Sequence, residues 1–567
     1  MRWPYHFVDL TESQIQQRRF LLDNYGQFAQ LSVLLLPLLY QLFSCVRLIG
    51  HRLQNKAQYR PLKARQSPTG RHSHSFDSSL SRFSRQRVHW WLDDEIAPGW
   101  GSRKQWLSAA IWTSWLSCLV TKDTGADYLH VTKRFGIVAA SQLPIQYLLA
   151  AKGWSPVQFL TRMSHEELNA YHRLFGRIIL TFCACHAALY MNFFIQKGLL
   201  LKRVKDWDVL LGLTAISAAT VLFTTSLAKL RDYSYRLFFY LHVFLTLLLL
   251  PVLYMHVSHL RVYILEAAVI YGVIILQRNL AEAKLSGTIT RVPRSNLLSI
   301  AVTAPSPYRF RNFTPGQHIY IGFPSLIEKL RKNPFTIANV PNVADSKIEL
   351  YVRSIRGTTQ MLDDLAAQPQ PVPLTIEGPY GSSANFPQLE NFDCVLLVAG
   401  GIGATFTLPI YSQLRKSAGP TLLKFVWTVK TLDDAIWGIN AFLQGPEEQS
   451  DTNELYVTSL GTTDSSLANT QTPKDALDNQ TRDGIELEDM HGSGFDSKDW
   501  EHLRRLAKPG RPKLSAIVDE IFEQDRSERV AVLVCGPPEM GRALRQEVGR
   551  YIDAEHDVFW HNEEFGW

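Results

Sequence analysis

Four histidines carry the strongest chemical signal in this chain. His172 and His186 stand in YHRLFGRIILTFCACH, and His242 and His256 stand in LHVFLTLLLLPVLYMH. Both gaps are 14 residues. On an α-helix, 14 residues rise about 21 Å and turn about 1400°, about 40° short of four full turns. Each pair therefore lies on nearly one face of its helix, at two depths. If the two helices cross in the same direction, His172 meets His242 at one level and His186 meets His256 at the other. Imidazole is a good axial ligand for haem iron, so the two levels predict two stacked bis-histidine haems. A single histidine in an apolar helix is most often a hydrogen-bonded packing residue. Four in two equal pairs argue otherwise, because polar groups at membrane depth are costly and usually functional.

The elements that must position them read as membrane spans. Tyr25–Val46, Gln105–Thr121, Phe135–Ala151, Ile178–Gln196, Val209–Ala228 and Leu237–Leu260 carry no Asp, Glu, Lys or Arg, and Val262–Gln277 carries only Glu266. About 20 apolar residues cross a hydrocarbon core, so seven transmembrane helices are predicted. With the C-terminus in the cytosol, the loops placed there hold most of the Lys and Arg, as the positive-inside rule requires. The level of His186 and His256 then faces outward. Arg60–Arg87, rich in Ser, Arg and His, reads as a solvated cytosolic loop.

From about Ala281 the pattern changes. Short β-rich runs such as LSGTITRV, LLSIAVTA, HIYIGF, IELYVRSI and VPLTIEG suggest an antiparallel barrel. After Phe392, the runs VLLVA, LKFVWTV and VAVLVCG alternate with helical stretches, which suggests an open parallel sheet. Gly400-Gly401-Ile402-Gly403-Ala404-Thr405 follows a buried strand and opens a helix. These glycines let the backbone approach a phosphate at a helix N-terminus. Phe406 stands where the third glycine of a dinucleotide fingerprint would be. Ser459–Ser493, rich in Thr, Asp, Asn and Ser, reads as a disordered insertion.

Composition excludes several classes. With 14 Trp, 21 Tyr and 29 Phe among 567 residues, and 46% hydrophobic, the chain is neither disordered nor a coiled coil. Six cysteines make no disulfide scaffold. The net charge of +7 calls for no nucleic acid, since much of it flanks apolar segments.

The second half carries an ordered series: Asn333-Pro334-Phe335-Thr336, Arg353 with Gly357-Thr358-Thr359, Gly378-Pro379-Tyr380-Gly381, the Gly400 loop, Cys535-Gly536-Pro537-Pro538, and the terminal Glu563-Glu564-Phe565-Gly566-Trp567. This order resembles the ferredoxin-reductase-type module. With the paired histidines, the chain resembles the fungal ferric reductase (metalloreductase) family, relatives of the NADPH oxidases, from about Trp106 to Trp567. The resemblance implies an α-helical transmembrane haem bundle of about seven helices, followed by an antiparallel β-barrel FAD domain and an α/β nicotinamide domain. The boundaries it suggests are 1–104 for the first helix and basic loop, 105–280 for the haem domain, 281–388 for the FAD domain and 389–567 for the NADPH domain.

The resemblance also implies roles. Pro334, Phe335 and Thr336 would meet the face and polar edge of a flavin. Arg353 would balance the FAD pyrophosphate, with Gly357 and Thr359 allowing close approach. Gly400, Gly401, Gly403, Thr405, Gly536 and Pro537 would hold the nicotinamide nucleotide. Arg511 would pair with a 2′-phosphate, favouring NADPH. Cys535 would lie above the nicotinamide, and Trp567, or else Phe565, would cover the flavin. Electrons would then run from cytosolic NADPH through FAD and two haems to ferric or cupric ions, free or chelated, outside. The plasma membrane is the expected location, ahead of a vacuolar one. Lipid would be the surrounding partner, with nucleic acid not expected and any iron-uptake partner unknown. The alternative is an NADPH oxidase producing superoxide. Against it stand the additional first helix and the equality of the two histidine gaps.

Overall fold

The computed structural model describes residues 4–57, 86–153, 155–304, 310, 312–323, 332–342, 346–355, 357–367, 370–417, 420, 422–443, 453–461, 504, 506–524, 529–552 and 556–564. Most of the expected basic loop, nearly all of the expected insertion, and both Phe565 and Trp567 lie outside the described residues. The chain forms two units, Met1–His72 with Trp91–Ala281, and Ser73–Trp90 with Glu282–Trp567.

The first unit is helical. Its main elements are α1 (Glu12–Ala57), α2 (Arg103–Thr121), α3 (Tyr128–Ser141), α4 (Leu143–Leu148), α5 (His165–Gln196), α6 (Trp207–Thr225), α7 (Tyr235–His256) and α8 (Arg261–Ala281). They occupy the seven apolar stretches, with α3 and α4 sharing one that Gln142 and Pro144 interrupt. Among the described residues, His165–Gln196, Trp207–Thr225, Tyr235–His256 and Ser258–Ala281 are long and apolar enough to cross a membrane.

Local chemistry starts these helices where the sequence allows. Ser164 Oγ accepts the Glu167 N–H at 3.2 Å, and Glu167 Oε2 accepts the Ser164 N–H at 3.0 Å, a reciprocal cap at the start of α5. Asp127 Oδ1 accepts the N–H groups of Leu129 and His130 at the start of α3. Its second oxygen takes Arg18 of α1 at 3.0 Å, tying two helices at one point. Leu116, Val120, Val138, Phe182 and Ile264 are among the buried residues where α2, α3, α5 and α8 meet.

The second unit holds two sheets. The first is antiparallel, in the order β4 (Asn333–Thr336), β3 (His318–Gly322), β6 (Val372–Tyr380), β1 (Glu282–Arg291), β2 (Leu297–Thr303), β5 (Lys347–Arg353). Its two edges approach each other, since the Ala338 N–H just past β4 donates to the Glu349 carbonyl of β5 at 2.8 Å. The sheet is thus barrel-like, around Ile300, Ile319, Ile348, Leu350 and Ile376.

The second sheet is parallel throughout, in the order β10 (Ala507–Pro509), β9 (Glu454–Val457), β8 (Leu422–Val429), β7 (Cys394–Gly400), β11 (Arg529–Cys535), β12 (Asp557–Glu563). Its central strands are continuous apolar runs because both faces are covered. Phe406, Phe425 and Trp427 fill one side, while Ile517, Phe522 and Leu544 fill the other. Residues 86–90, which the sequence alone groups with the N-terminal segment, pack on this sheet. Arg545 lies 4.1 Å from the centre of the Trp90 ring, and Trp90 meets Trp560 of β12 edge-on at 5.7 Å.

One buried charge cluster anchors the barrel. Lys332 Nζ lies 2.8 Å from Glu282 and 2.9 Å from Glu377, with side chains 5%, 14% and 1% exposed respectively. Lys332 immediately precedes β4, so the cluster holds the Asn333-Pro334-Phe335-Thr336 strand against β1 and β6. Removing one partner leaves a buried charge unmatched, at a cost of about 3–5 kcal/mol. Lys332→Met should therefore lower the melting temperature of the purified protein clearly, and adding Glu377→Gln should recover part of the loss. An unchanged melting curve for the single variant would remove the cluster from the account.

Candidate functional site

Three of the four paired histidines reach backbone carbonyls through Nδ1. His172 Nδ1 is 3.0 Å from the Gln146 carbonyl of α4, His186 Nδ1 is 2.8 Å from the Thr132 carbonyl of α3, and His256 Nδ1 is 2.7 Å from the Asp208 carbonyl of α6. A carbonyl only accepts, so Nδ1 must carry the proton and Nε2 keeps its lone pair. His242 Nδ1 lies 3.2 Å from Ser226 Oγ. That oxygen is 2.6 Å from the Leu222 carbonyl and donates to it, which leaves a lone pair to accept from His242. All four imidazoles are thus oriented by a partner on Nδ1, as metal-binding histidines usually are.

The His172 and His242 ring centres stand 6.2 Å apart. Two imidazoles bound to one ion through Nε2, at about 2.0–2.1 Å each as on zinc, put their centres about 6 Å apart. Among the described residues no group of three or more His, Cys, Asp or Glu could hold a metal. Paired donors without a third suit an ion that brings its remaining ligands in a macrocycle, and the residues present fit haem. His259, three residues beyond His256 at the other end of α7, has its Nδ1 2.7 Å from Asp23.

In the second unit, two distant motifs meet. The order β8-β7-β11 makes the carboxyl ends of β7 and β11 a topological switch point, where open α/β sheets bind ligands. Gly400 ends β7, with Gly401 and Gly403 just beyond, and Cys535 ends β11, with Gly536 and Pro537 just beyond. They touch: a Cβ on Gly400 would lie 2.6 Å from Pro537, and one on Gly403 would lie 2.2 Å from the Cys535 carbonyl oxygen. The glycines let the two loops close on each other at the start of α10 (Ala404–Lys416). Gly401 also has φ +56°, a conformation L side chains rarely adopt. Thr405 is buried and its hydroxyl donates to the Ile402 carbonyl at 2.9 Å, so it shapes this turn.

The other expected residues fall as follows. Pro334, Phe335 and Thr336 form β4 and pair with Tyr320, Ile319 and His318 of β3. Arg353 ends β5. Gly357, at φ +67° and ψ −121°, opens α9 (Thr358–Leu365), and Thr359 Oγ1 accepts the Ile355 N–H at 3.1 Å. Arg353 Nη2 lies 3.5 Å from Asp434, a residue no sequence signal marked, and its Nε is buried without a hydrogen-bond partner among the described residues. A Cβ on Gly401 would stand 3.8 Å from that same guanidinium, so the two expected cofactor regions adjoin. Arg511 is exposed just beyond β10, at the far edge of the parallel sheet.

Cys535 is fully buried between Ala399 and Glu563 on neighbouring strands. Burial, then the nearby Glu563 and Glu564, push its thiol well above the ordinary range. It is therefore a neutral thiol, not a thiolate nucleophile.

A helical unit with paired, Nδ1-anchored histidines, joined to a flavin-barrel and nicotinamide-sheet module, defines a membrane-bound oxidoreductase. Comparison with known families gives the same order of parts. Residues 135–253 match the ferric reductase like transmembrane component, 281–384 the FAD-binding domain, and 392–549 the ferric reductase NAD binding domain. The chain thus matches the parts of a ferric reductase in order, and it is an integral membrane protein. It is similar to "Probable metalloreductase AIM14" of Scheffersomyces stipitis, 25% identical over 79% of this chain and 83% of that one. It is also similar to "Ferric reductase transmembrane component 3" of Saccharomyces cerevisiae, 24% identical over 75% of this chain and 59% of that one. "Ferric/cupric reductase transmembrane component 2" of Schizosaccharomyces pombe is 23% identical over 78% of this chain and 83% of its own length.

The Cys535 environment predicts a pH effect. A thiol whose folded pKa is raised keeps its proton after the unfolded chain has lost it. Its contribution to stability is therefore complete below the unfolded value, about 8.5, and falls as pH rises through it and beyond. Between pH 9 and 10 the wild type should lose up to about 1.4 kcal/mol more stability per pH unit than Cys535→Ala. Denaturant unfolding of the two proteins at pH 7, 9 and 10 would show it. Parallel pH dependences would mean that the thiol ionises as freely folded as unfolded.

Proposed function

We propose that this protein carries electrons from cytosolic NADPH, through FAD and two bis-histidine b-type haems, to ferric or cupric ions on the outer face. The observation that carries the reading is the pair of equally spaced histidine levels, each imidazole oriented by a partner on Nδ1. The relatives named for ferric and cupric reduction supply the acceptor class. The bound groups provide hydride acceptance and one-electron relay, while the protein provides position and electrostatics.

In this reading His172 and His242 hold the haem nearer the cytosol, and His186 and His256 hold the outer one. Phe335 and Thr336 present a ring and a hydroxyl beside the flavin. Arg353 takes a pyrophosphate, whose charge would compete with Asp434 for the guanidinium. The loops after β7 and β11 receive the nicotinamide nucleotide, with Arg511 reaching its 2′-phosphate and Cys535 walling the nicotinamide site as a neutral side chain. Trp567 covers the flavin until the nicotinamide displaces it.

His186→Ala separates this reading from its rivals. Flavin reduction by NADPH should persist in stopped flow, because it precedes the haems. Reduction of external ferric chelate by intact cells should disappear, and reduced-minus-oxidised spectra should lose about half of the haem signal. Ferric reduction at the wild-type rate in the variant would overturn the assignment. Superoxide formation in place of Fe(II) release by the wild type would make the protein an oxidase.

A further inference from the structure

Both histidines of the outer pair are seated in the same way. His186 Nδ1 meets the Thr132 carbonyl, and four residues later in α3 comes Gly136. A Cβ on Gly136 would lie 2.8 Å from both Cε1 and Nδ1 of the His186 ring. His256 Nδ1 meets the Asp208 carbonyl, and four residues later in α6 comes Gly212. A Cβ on Gly212 would lie 2.8 Å from Cε1 of the His256 ring. Helical Cα–Cβ bonds tilt toward the N-terminus, so a side chain at position i+4 lies over the turn carrying carbonyl i. That carbonyl already accepts the helix N–H of residue i+4 but has a second lone pair. A glycine at i+4 uncovers the lone pair for a group on a facing helix.

The inner pair needs no such device. His172 takes the carbonyl of Gln146, in the last turn of α4. His242 takes a serine hydroxyl just beyond α6.

We propose that Gly136 and Gly212 are positioning residues for the outer haem. Each opens a carbonyl within its helix to the Nδ1–H of a ligand histidine, and so fixes the ring plane and raises the basicity of that ligand. The proposal rests on the haem reading above. Strong Nδ1–H donation makes imidazole a better donor to iron and favours the oxidised state. A methyl group at either glycine must displace the ring and lengthen the Nδ1···O contact. The oxidised form then loses part of its advantage, and the potential of that haem rises.

The test uses the full-length protein in detergent, with haem content and potentiometric titration as readouts. The wave lost in His186→Ala identifies the outer haem. Gly136→Ala and Gly212→Ala should each shift that wave upward by about tenfold in the reduction equilibrium, about 59 mV for one electron, or empty the outer site. The other wave should stay in place. Gly272→Ala is the control, because a Cβ there meets nothing within 4 Å. Unmoved waves in both glycine variants, equal shifts of both waves, or loss of both haems would overturn the proposal and leave the glycines as packing residues. A wild type without a bis-histidine haem spectrum would instead overturn the haem reading beneath it.

Discussion

An imidazole inside an apolar helical bundle needs a partner for its N–H, and the rest of the helical unit follows from meeting that need four times. An unpartnered buried donor is costly. The bundle supplies two backbone carbonyls from inside helices, one from a helix end, and one serine hydroxyl at another. These acceptors lie on helices other than those bearing the histidines. The helices that carry the proposed ligands are therefore tied to α3, α4 and α6, and a glycine stands one turn on from both Thr132 and Asp208. Nε2 keeps its lone pair on these rings; on His172 it faces the Gln146 side-chain amide at 3.4 Å.

The nicotinamide lobe solves a different problem, that of bringing backbone close to backbone. Its two loops belong to motifs far apart in sequence, and they become neighbours because β7 and β11 are adjacent and parallel. Gly400 and Gly403 face atoms of the opposite loop at distances no side chain would permit, and a Cβ on Gly536 would crowd the Gly400 backbone at 3.1 Å. The absence of the third fingerprint glycine fits the same geometry. Phe406 is buried beneath the loop, against His561 and close to Gly316 of the barrel, and so serves as core. The barrel and the parallel sheet also meet through Tyr351 and Trp437, stacked at 4.4 Å, beside the Arg353–Asp434 pair.

Much of this was legible from the chain alone, because the signals were periodic or local. Apolar length marked the helical segments, short strands marked the barrel, and alternation marked the parallel sheet. The equal 14-residue gaps placed four histidines in two levels without any tertiary information. Some features had no local signal. Asp434 is one acidic residue in a loop until the fold sets it beside Arg353. Residues 86–90 read as the tail of a basic loop until Trp90 packs on Trp560. Gly136 and Gly212 read as ordinary glycines in apolar helices.

The division follows from the reach of each interaction. Periodicity, capping and spacing act within a few turns or strands, so the sequence alone determined the helices and strands, the two histidine levels and the order of the motifs. Carbonyl acceptors, loop-to-loop contacts and a buried thiol depend on which elements become neighbours. Hence only the tertiary structure decided that Thr132 and Asp208 orient His186 and His256 and that the Gly400 and Cys535 loops close on one another. It also decided that Cys535 is a neutral buried group, since desolvation depends on atoms brought in from strands remote along the chain.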